Sequence, residues 1–442
     1  MSCSTSRFGV RLFTILLIGA AVIGCPPSDS KVTVPNVVGQ TQTAAQNAIT
    51  GVGLAVGTVT QEYHATVAAG LVISQDPPAG RSVTANSAVN LVVSKGPGGG
   101  GDISNIEELQ RIGNDPAYPL DGDYVLTQDI DASATAGWND GAGFDPVGTW
   151  LEEDPSAAFT GTFDGQGHVI TNLVINRPGE GYAGLFGFVG EGGVIENLGI
   201  EGGAVSGGER VGALAGGISD GTISECHVTS SVTGEDFVGG LVGDNYHGAI
   251  SQCHATGAVT GGSNVGGLFG SACGDVFQCY ATGAVTGTGS YVGGLAGSIC
   301  GTVSQCFATG TVAALGDFAG GLAGFNMGAA SECYAAGGVT GNDSVGGLAG
   351  ENFFGTISQC YATGPVTGES HVGGLVGQNH YATVEFSFWD IDTSGQTESG
   401  GGTGLSTAEM QTEITFTAAG WDFDAVWHML PEGSYPYLRA LP

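Results

Sequence analysis

One string recurs through the second half of this sequence and limits what the chain can fold into: a Gly-Leu-x-Gly motif behind a small residue. It reads AGLFG at 183–187, GALAG at 212–216 and GGLVG at 239–243, and it returns five more times, ending as GGLVG at 373–377. Its leucines are Leu185, Leu214, Leu241, Leu268, Leu295, Leu322, Leu348 and Leu375, spaced 29, 27, 27, 27, 27, 26 and 27 apart. Loops of unequal length would destroy so tight a phase, so one structural unit is stacked on copies of itself. The chain is expected to be a solenoid.

A second pattern keeps the same period. Ile170-x-x-Leu173-x-Ile175 and Ile195-x-x-Leu198-x-Ile200 become Ile223-x-x-Cys226-x-Val228 and then a run of Ile/Val-x-x-Cys-x-Ala units through Cys253, Cys279, Cys306, Cys333 and Cys360. Cysteine replaces leucine in one slot, so that slot faces inward and is packed. Each unit then holds three short extended segments: Val-Gly-Gly-Leu, the cysteine segment, and the valine of ATGxVTG (Val232, Val259, Val285, Val312, Val339, Val366). Helical periodicity is absent from the repeats. The predicted fold is mainly β, a right-handed parallel β-helix of about 27 residues per coil. Some nine coils at about 4.8 Å would make a rod of roughly 40 Å.

Composition narrows the partners. Lys+Arg is 9 against Asp+Glu 42, a net charge of -33, and no Lys or Arg lies between Arg210 and Arg439. Binding to a phosphate backbone needs a patch of cations, so nucleic acid is excluded as a partner. The acidic surface serves solubility, or holds structural calcium through carboxylates in the turns; no other cofactor is expected.

At the N-terminus Arg7 and Arg11 precede an apolar run from Leu12 to Gly24, too short to span a bilayer, with small residues at its end. Val22-Ile23-Gly24-Cys25 resembles the lipobox of bacterial lipoproteins, which implies a signal peptide over 1–24 and lipidation of Cys25; an ordinary cleaved signal is the alternative. Loss of the two arginines takes the formal charge from -33 to -35. The resemblance implies a membrane-anchored lipoprotein of the cell envelope, at the outer membrane or cell surface.

After a tether over 25–32, residues 33–97 read as a compact α+β module: a helix over 43–50, then extended runs at 54–63, 71–74 and 88–94, the last with Val89, Leu91 and Val93 on one side. The stretches VPNVVGQT (34–41), GLAVGTV (53–59), GLVISQDPPAG (70–80) and VNLVVSKG (89–96) resemble a PASTA domain, apart from Ala68-Ala69 where proline is frequent. That resemblance implies contact with peptidoglycan or muropeptides, or a spacer role. Glycines at 98–101 close a flexible linker over 98–102.

A cap and the first coils are expected over 103–180, with a short helix at 105–112. Residues 181–390 resemble GLUG repeats of bacterial adhesin-like surface proteins, and the aromatic-rich stretch 391–442 resembles the segment that ends such arrays, so it is assigned as a C-terminal cap.

The residues that could carry chemistry are few. Cys226, Cys253, Cys279, Cys306, Cys333 and Cys360 form a ladder read as reduced and buried. Cys273 and Cys300, one period apart in coils lacking the asparagine found at Asn245, Asn326, Asn352 and Asn379, are candidates for a disulfide between coils. No closed four-ligand zinc set is visible. Asp164 with His168, and Trp389-Asp390-Ile391-Asp392, are the best acid/base candidates, and both fall in turns or end caps. Next to the cysteines runs an outward row, His227, His254, Tyr280, Phe307, Tyr334 and Tyr361, beside Thr229, Thr256, Thr282, Thr309 and Thr363. Such a row could stack sugar rings, or simply stabilise the coils. The expectation is a non-catalytic, lipid-anchored surface protein in adhesion or glycan binding. A polysaccharide lyase or hydrolase on the same scaffold and a purely structural spacer are the alternatives.

Overall fold

The computed structural model of the chain describes residues 30–62, 64, 67–95, 100–151, 154–430 and 433–441. Cys25 and the stretch 1–24 read above as a signal peptide lie outside them. The chain divides into two units, between residues 97 and 98.

In the first unit the helix Gln42–Gly51 starts where the Thr41 hydroxyl accepts the Ala44 N–H at 3.3 Å. It packs Ala45 and Ile49 against a three-stranded sheet ordered Ala55–Glu62, Ala88–Ser94, Val72–Asp76, where Val89, Leu91 and Val93 are buried. The Gln75 side chain pins the opening loop: its oxygen accepts from Val37 N–H at 2.8 Å and its amide donates to the Pro35 carbonyl at 2.9 Å. Periodicity gave no sign of one further pair, Lys31–Thr33 antiparallel to Ser82–Thr84, because strands this short and polar carry no pattern.

The second unit is a parallel β-solenoid. Five strands build one coil, as in Glu209–Val211, Ala215–Ser219, Thr222–Ser224, His227–Val228 and Ser231–Thr233. They contribute in that order to sheets of seven, eight, eleven, eleven and eight strands, numbered here one to five. Three segments per coil and nine coils were expected; five strands and about eleven rungs are found. The expected cysteine segment is two strands because Glu225 takes a left-handed φ of 53°, which turns Cys226 into the core, and Gln252, Gln278, Gln305, Glu332 and Gln359 repeat the device. Extra rungs come from the region expected to be mostly cap. Gly100 and Gly101, assigned to the flexible linker, instead open the first rung, Gly100–Ile103, parallel to Asp123–Leu126, and a Cβ at Gly100 would collide with the Asp123 carbonyl. The helix in this region, Ile106–Gln110, is capped by Asn105, whose oxygen accepts Glu108 N–H at 2.9 Å.

Inside the rod the leucines of the repeated string stack at 1% exposure or less, and the six ladder cysteines are equally buried and unpaired. Each thiol lies close to the Ser or Phe carbonyl two residues earlier, at 3.2 Å for Cys226, and Cys226 N–H points at the Cys253 sulfur at 3.4 Å. Burial pushes the thiols of Cys253, Cys306 and Cys360 well above the ordinary range, which keeps them protonated and inert.

The paired glycines answer a steric demand. Gly267 does not have a left-handed φ; a Cβ there would strike the Gly294 carbonyl and come within 2.8 Å of Ala281 Cβ. Trp389 ends the core by filling the slot that Ala362 occupies one coil earlier, and Gly374 leaves the space for its indole.

Because the obstruction at Gly267 is backbone, Gly267→Ala should lower stability by about 1–3 kcal/mol. Urea unfolding followed by circular dichroism checks this; an unchanged midpoint would show that the coils can separate locally at no cost.

Candidate functional site

The outward aromatic row is present, and its rings stack on one another along the rod. Ring centroids step 5.3, 4.6, 4.8, 4.8 and 5.1 Å from His227 through His254, Tyr280, Phe307 and Tyr334 to Tyr361, with interplanar angles of 10° or less. Each ring face is therefore covered by the next ring, and only edges point outward. Phe307, Tyr334 and Tyr361 are also buried, because the C-terminal segment folds back over them with Met410, Phe416, Trp421, Trp427 and Leu438. Tyr361 hydroxyl donates to the Pro436 carbonyl at 2.5 Å, and burial raises its pKa far above that of a free tyrosine. His227, His254 and Tyr280 remain half-exposed, beside exposed Thr229, Thr256 and Thr282. Burial, together with the neighbouring His227, lowers the His254 pKa, so that ring is neutral at physiological pH.

The acid/base candidates are committed to structural bonds. Asp164 accepts from Gln166 N–H at 2.8 Å, from Asn197 at 3.1 Å and from the Gln166 side chain, whereas His168 lies 3.0 Å from Asp129. The two do not meet. Asp390 is fully buried and receives Asp392 N–H at 2.9 Å, Thr393 N–H at 3.1 Å, Thr407 hydroxyl at 2.8 Å and Tyr435 hydroxyl at 2.6 Å. Burial works to raise its pKa, but these donors outweigh it and hold the carboxyl below the usual range. Asp390 thus ties the last coil to the cap.

Cys273 and Cys300 are joined as a disulfide across adjacent coils, with Cα atoms 4.4 Å apart. They sit one residue beyond the asparagine slot, which Ala272 and Ile299 fill in those coils. The side-chain ladder Asn326 to Asn352 to Asn379, at 2.8 and 2.9 Å, consequently stops, and Asn326 Oδ1 above Ile299 is left without a partner. Covalent linkage replaces amide bonding at that corner.

Sequence reasoning missed a second aromatic face, on sheets one and two. Tyr182, Arg210, Phe237, Tyr291 and Phe318 share one left-handed slot, two residues before each small-residue pair. Arg210 lies between the Tyr182 and Phe237 rings, 5.2 Å from each, and pairs with Glu209 at 3.2 Å and Asp244 at 3.3 Å. Farther along, Tyr291, Phe318 and Phe325 pack within 5.1–6.1 Å, and Phe353, Phe354 and Tyr381 continue the track. The recurrent aromatic before Val/Ala-Gly-Gly was the available signal. Among the described residues no group of three or more His, Cys, Asp or Glu is placed to hold a metal, and no helix is long and apolar enough to cross a membrane.

Comparison with known proteins agrees with this arrangement. The PASTA domain model matches residues 32–95, and the GLUG motif model matches 238–260 and 341–367. Halomucin of Haloquadratum walsbyi is 43% identical over 133 residues, which is 30% of this chain and 1% of that protein. A protein described as a Gly-rich membrane protein, from Evansella cellulosilytica, is 37% identical over 109 residues, 24% of this chain and 12% of its own. The chain thus spans a small part of the length of these relatives. A solved Bacteroides ovatus chain, named as a candidate immunoglobulin A1 protease, is 19% identical with a TM-score of 0.43, covering 77% of this chain and 92% of that one; a likeness at this level carries no argument. The chain carries a PASTA domain followed by GLUG motifs, modules of surface-protein type.

Two outcomes are expected at these sites. Intact mass should rise by two hydrogens on reduction, and only when Cys273 and Cys300 are both present. Asp390 has a folded pKa below its unfolded value of about 3.9, so its stabilisation is present above that pH and is lost as pH falls through the folded pKa. Acid titration of tryptophan fluorescence should therefore show the cap loosening below about pH 4, and Asp390→Asn should flatten that transition while lowering stability at neutral pH.

Proposed function

We propose that this chain is a non-catalytic surface protein of the cell envelope, anchored through a lipid on Cys25, whose PASTA module contacts cell-wall glycan while the solenoid serves attachment as a rigid, acidic rod. The observation that carries the reading is the pairing of a PASTA domain at 32–95 with coils that run in register through sheets of up to eleven strands. Supporting it, each carboxylate that the sequence offered as a catalyst serves a turn or a cap, and the aromatic ladder is consumed by its own stacking. Adhesion is thereby assigned to the module and to exposed corners of the rod, away from the aromatic ladder. The relatives' names, a halomucin and a Gly-rich membrane protein, fit a surface location.

The full chain and a variant lacking residues 31–97 should be compared in pull-downs with purified peptidoglycan and on a glycan array. Peptidoglycan binding should be lost with the module. Equal retention by the shortened chain would move recognition to the solenoid and overturn the assignment.

A further inference from the structure

The last coil sets an exposed aromatic residue on either side of one strand. Tyr381, with φ 53° and 84% exposed, stands two residues before its strand, as Phe354, with φ 57° and 65% exposed, does one coil earlier and as His247 and Asp220 do in earlier coils. Phe386, with φ 48° and 57% exposed, fills the slot of Gln252, Gln278, Gln305 and Gln359. Glu385 stands where Ser304, Ser331 and Ser358 stand. Holding an aromatic residue at positive φ costs about 1–2 kcal/mol, and exposing it gains nothing for the core.

These residues flank one strand, Thr383–Glu385, the terminal rung of the third sheet. The cap closes the neighbouring sheet ends: Thr403–Leu405 pairs with Phe388–Asp390, Ser399 hydroxyl accepts Val376 N–H at 2.9 Å, and Gln396 donates to the Val366 carbonyl at 2.9 Å. Among the described residues Thr383–Glu385 has one strand partner, Thr356–Ser358; the cap touches it through Gly401 against the Val384 side chain and through Trp421, whose indole N–H donates to the Phe386 carbonyl at 2.9 Å. Thr383 N–H donates to Gly355 and the Glu385 carbonyl accepts from Gln359, so by the alternation of a parallel ladder the Val384 N–H and C=O face the open edge. A charged Glu385 would by itself blunt such an edge against self-pairing. The two exposed aromatics do the opposite and invite a partner.

Charge selects the partner. With a net charge of -33, and no Lys or Arg from 211 to 438, a second copy or a polyanion is repelled. Tyr381 stacks one face on Phe354, at 5.4 Å and 17°, and as the last ring it leaves the other face free for a cation. We propose that the Thr383–Glu385 edge is a protein-binding site that captures an extended, Lys/Arg-bearing segment of another protein by strand addition: main-chain bonds to Val384, cations over Tyr381 and Phe386, and an ion pair with Glu385. This interaction is independent of any wall contact made by the PASTA module.

The test uses the full chain and a fluorescein-labelled Lys-Val-Thr-Val-Lys-Val-Thr-Lys peptide, read by anisotropy. The double variant Tyr381→Gly/Phe386→Gln removes both rings with residues that accept a left-handed φ, glutamine as at Gln359 one coil earlier, and so keeps the fold, which circular dichroism verifies. It should weaken binding tenfold or more. Val384→Pro, which removes the edge N–H but keeps the aromatics, should do the same, and added salt should weaken the wild type. Equal binding by both variants, or by the peptide with Glu in place of Lys, overturns the proposal. Sedimentation showing self-association lost in the double variant would overturn it in favour of a second copy, and competition by a neutral chitooligosaccharide would overturn it in favour of a glycan.

Discussion

Everything in the solenoid depends on backbone hydrogen bonds that run along the rod axis between parallel strands in register. That register places each residue directly above its counterpart one coil away, so side chains of one kind stack on their own kind. Leucine on leucine and cysteine on cysteine build the core without specific polar bonds. Polar slots can use the same stacking only if neighbours offer both donors and acceptors, as Gln278, Gln305 and Glu332 do at 2.9 Å each. In that row Glu225 and Glu332 are separated by glutamines, which avoids like charges facing each other in a strongly acidic protein.

Much of this was legible in the repeat. The period requires coils, the leucine-to-cysteine exchange requires an inward slot, and the single-period spacing of Cys273 and Cys300 allows a link between coils. The number of strands per coil was not legible, because it turns on left-handed φ values at Glu and Gln residues that nothing in their chemistry announces. Nor was the burial of Phe307, Tyr334 and Tyr361, since the segment covering them folds back from outside the periodic region. The loss of ring faces is a different case. A row of aromatics spaced by one coil must stack on itself at about 4.8 Å, so the pattern that suggested a sugar platform already argued against it.

The same constraint makes the ends the difficult places. A stack of open coils would present unpaired edges, and the C-terminal segment answers with bulk and with a buried charge: Trp389 plugs the core, and Asp390 gathers four donors that hold strand, turn and cap together. A buried carboxylate is tolerable only when its bonds are satisfied, which explains why the WDID stretch looks like catalytic machinery in the sequence and is a fastener in the fold.

In a fold whose interior is dictated by repetition, departures from the repeat carry the information. Some departures relieve a local problem. The disulfide stands where the asparagine ladder is broken, and Ser387 continues the cysteine ladder with a hydroxyl that accepts Cys360 N–H at 3.1 Å. Others lie at the edge of the rod: Tyr381 continues the stack of Phe354, Phe386 stands where the coil before has Gln359, and both are exposed, at positive φ and on either side of a long sheet end that the cap strand does not pair. Their outer faces are open to a partner, which turns the search for recognition from the sides of the solenoid to its terminal edge.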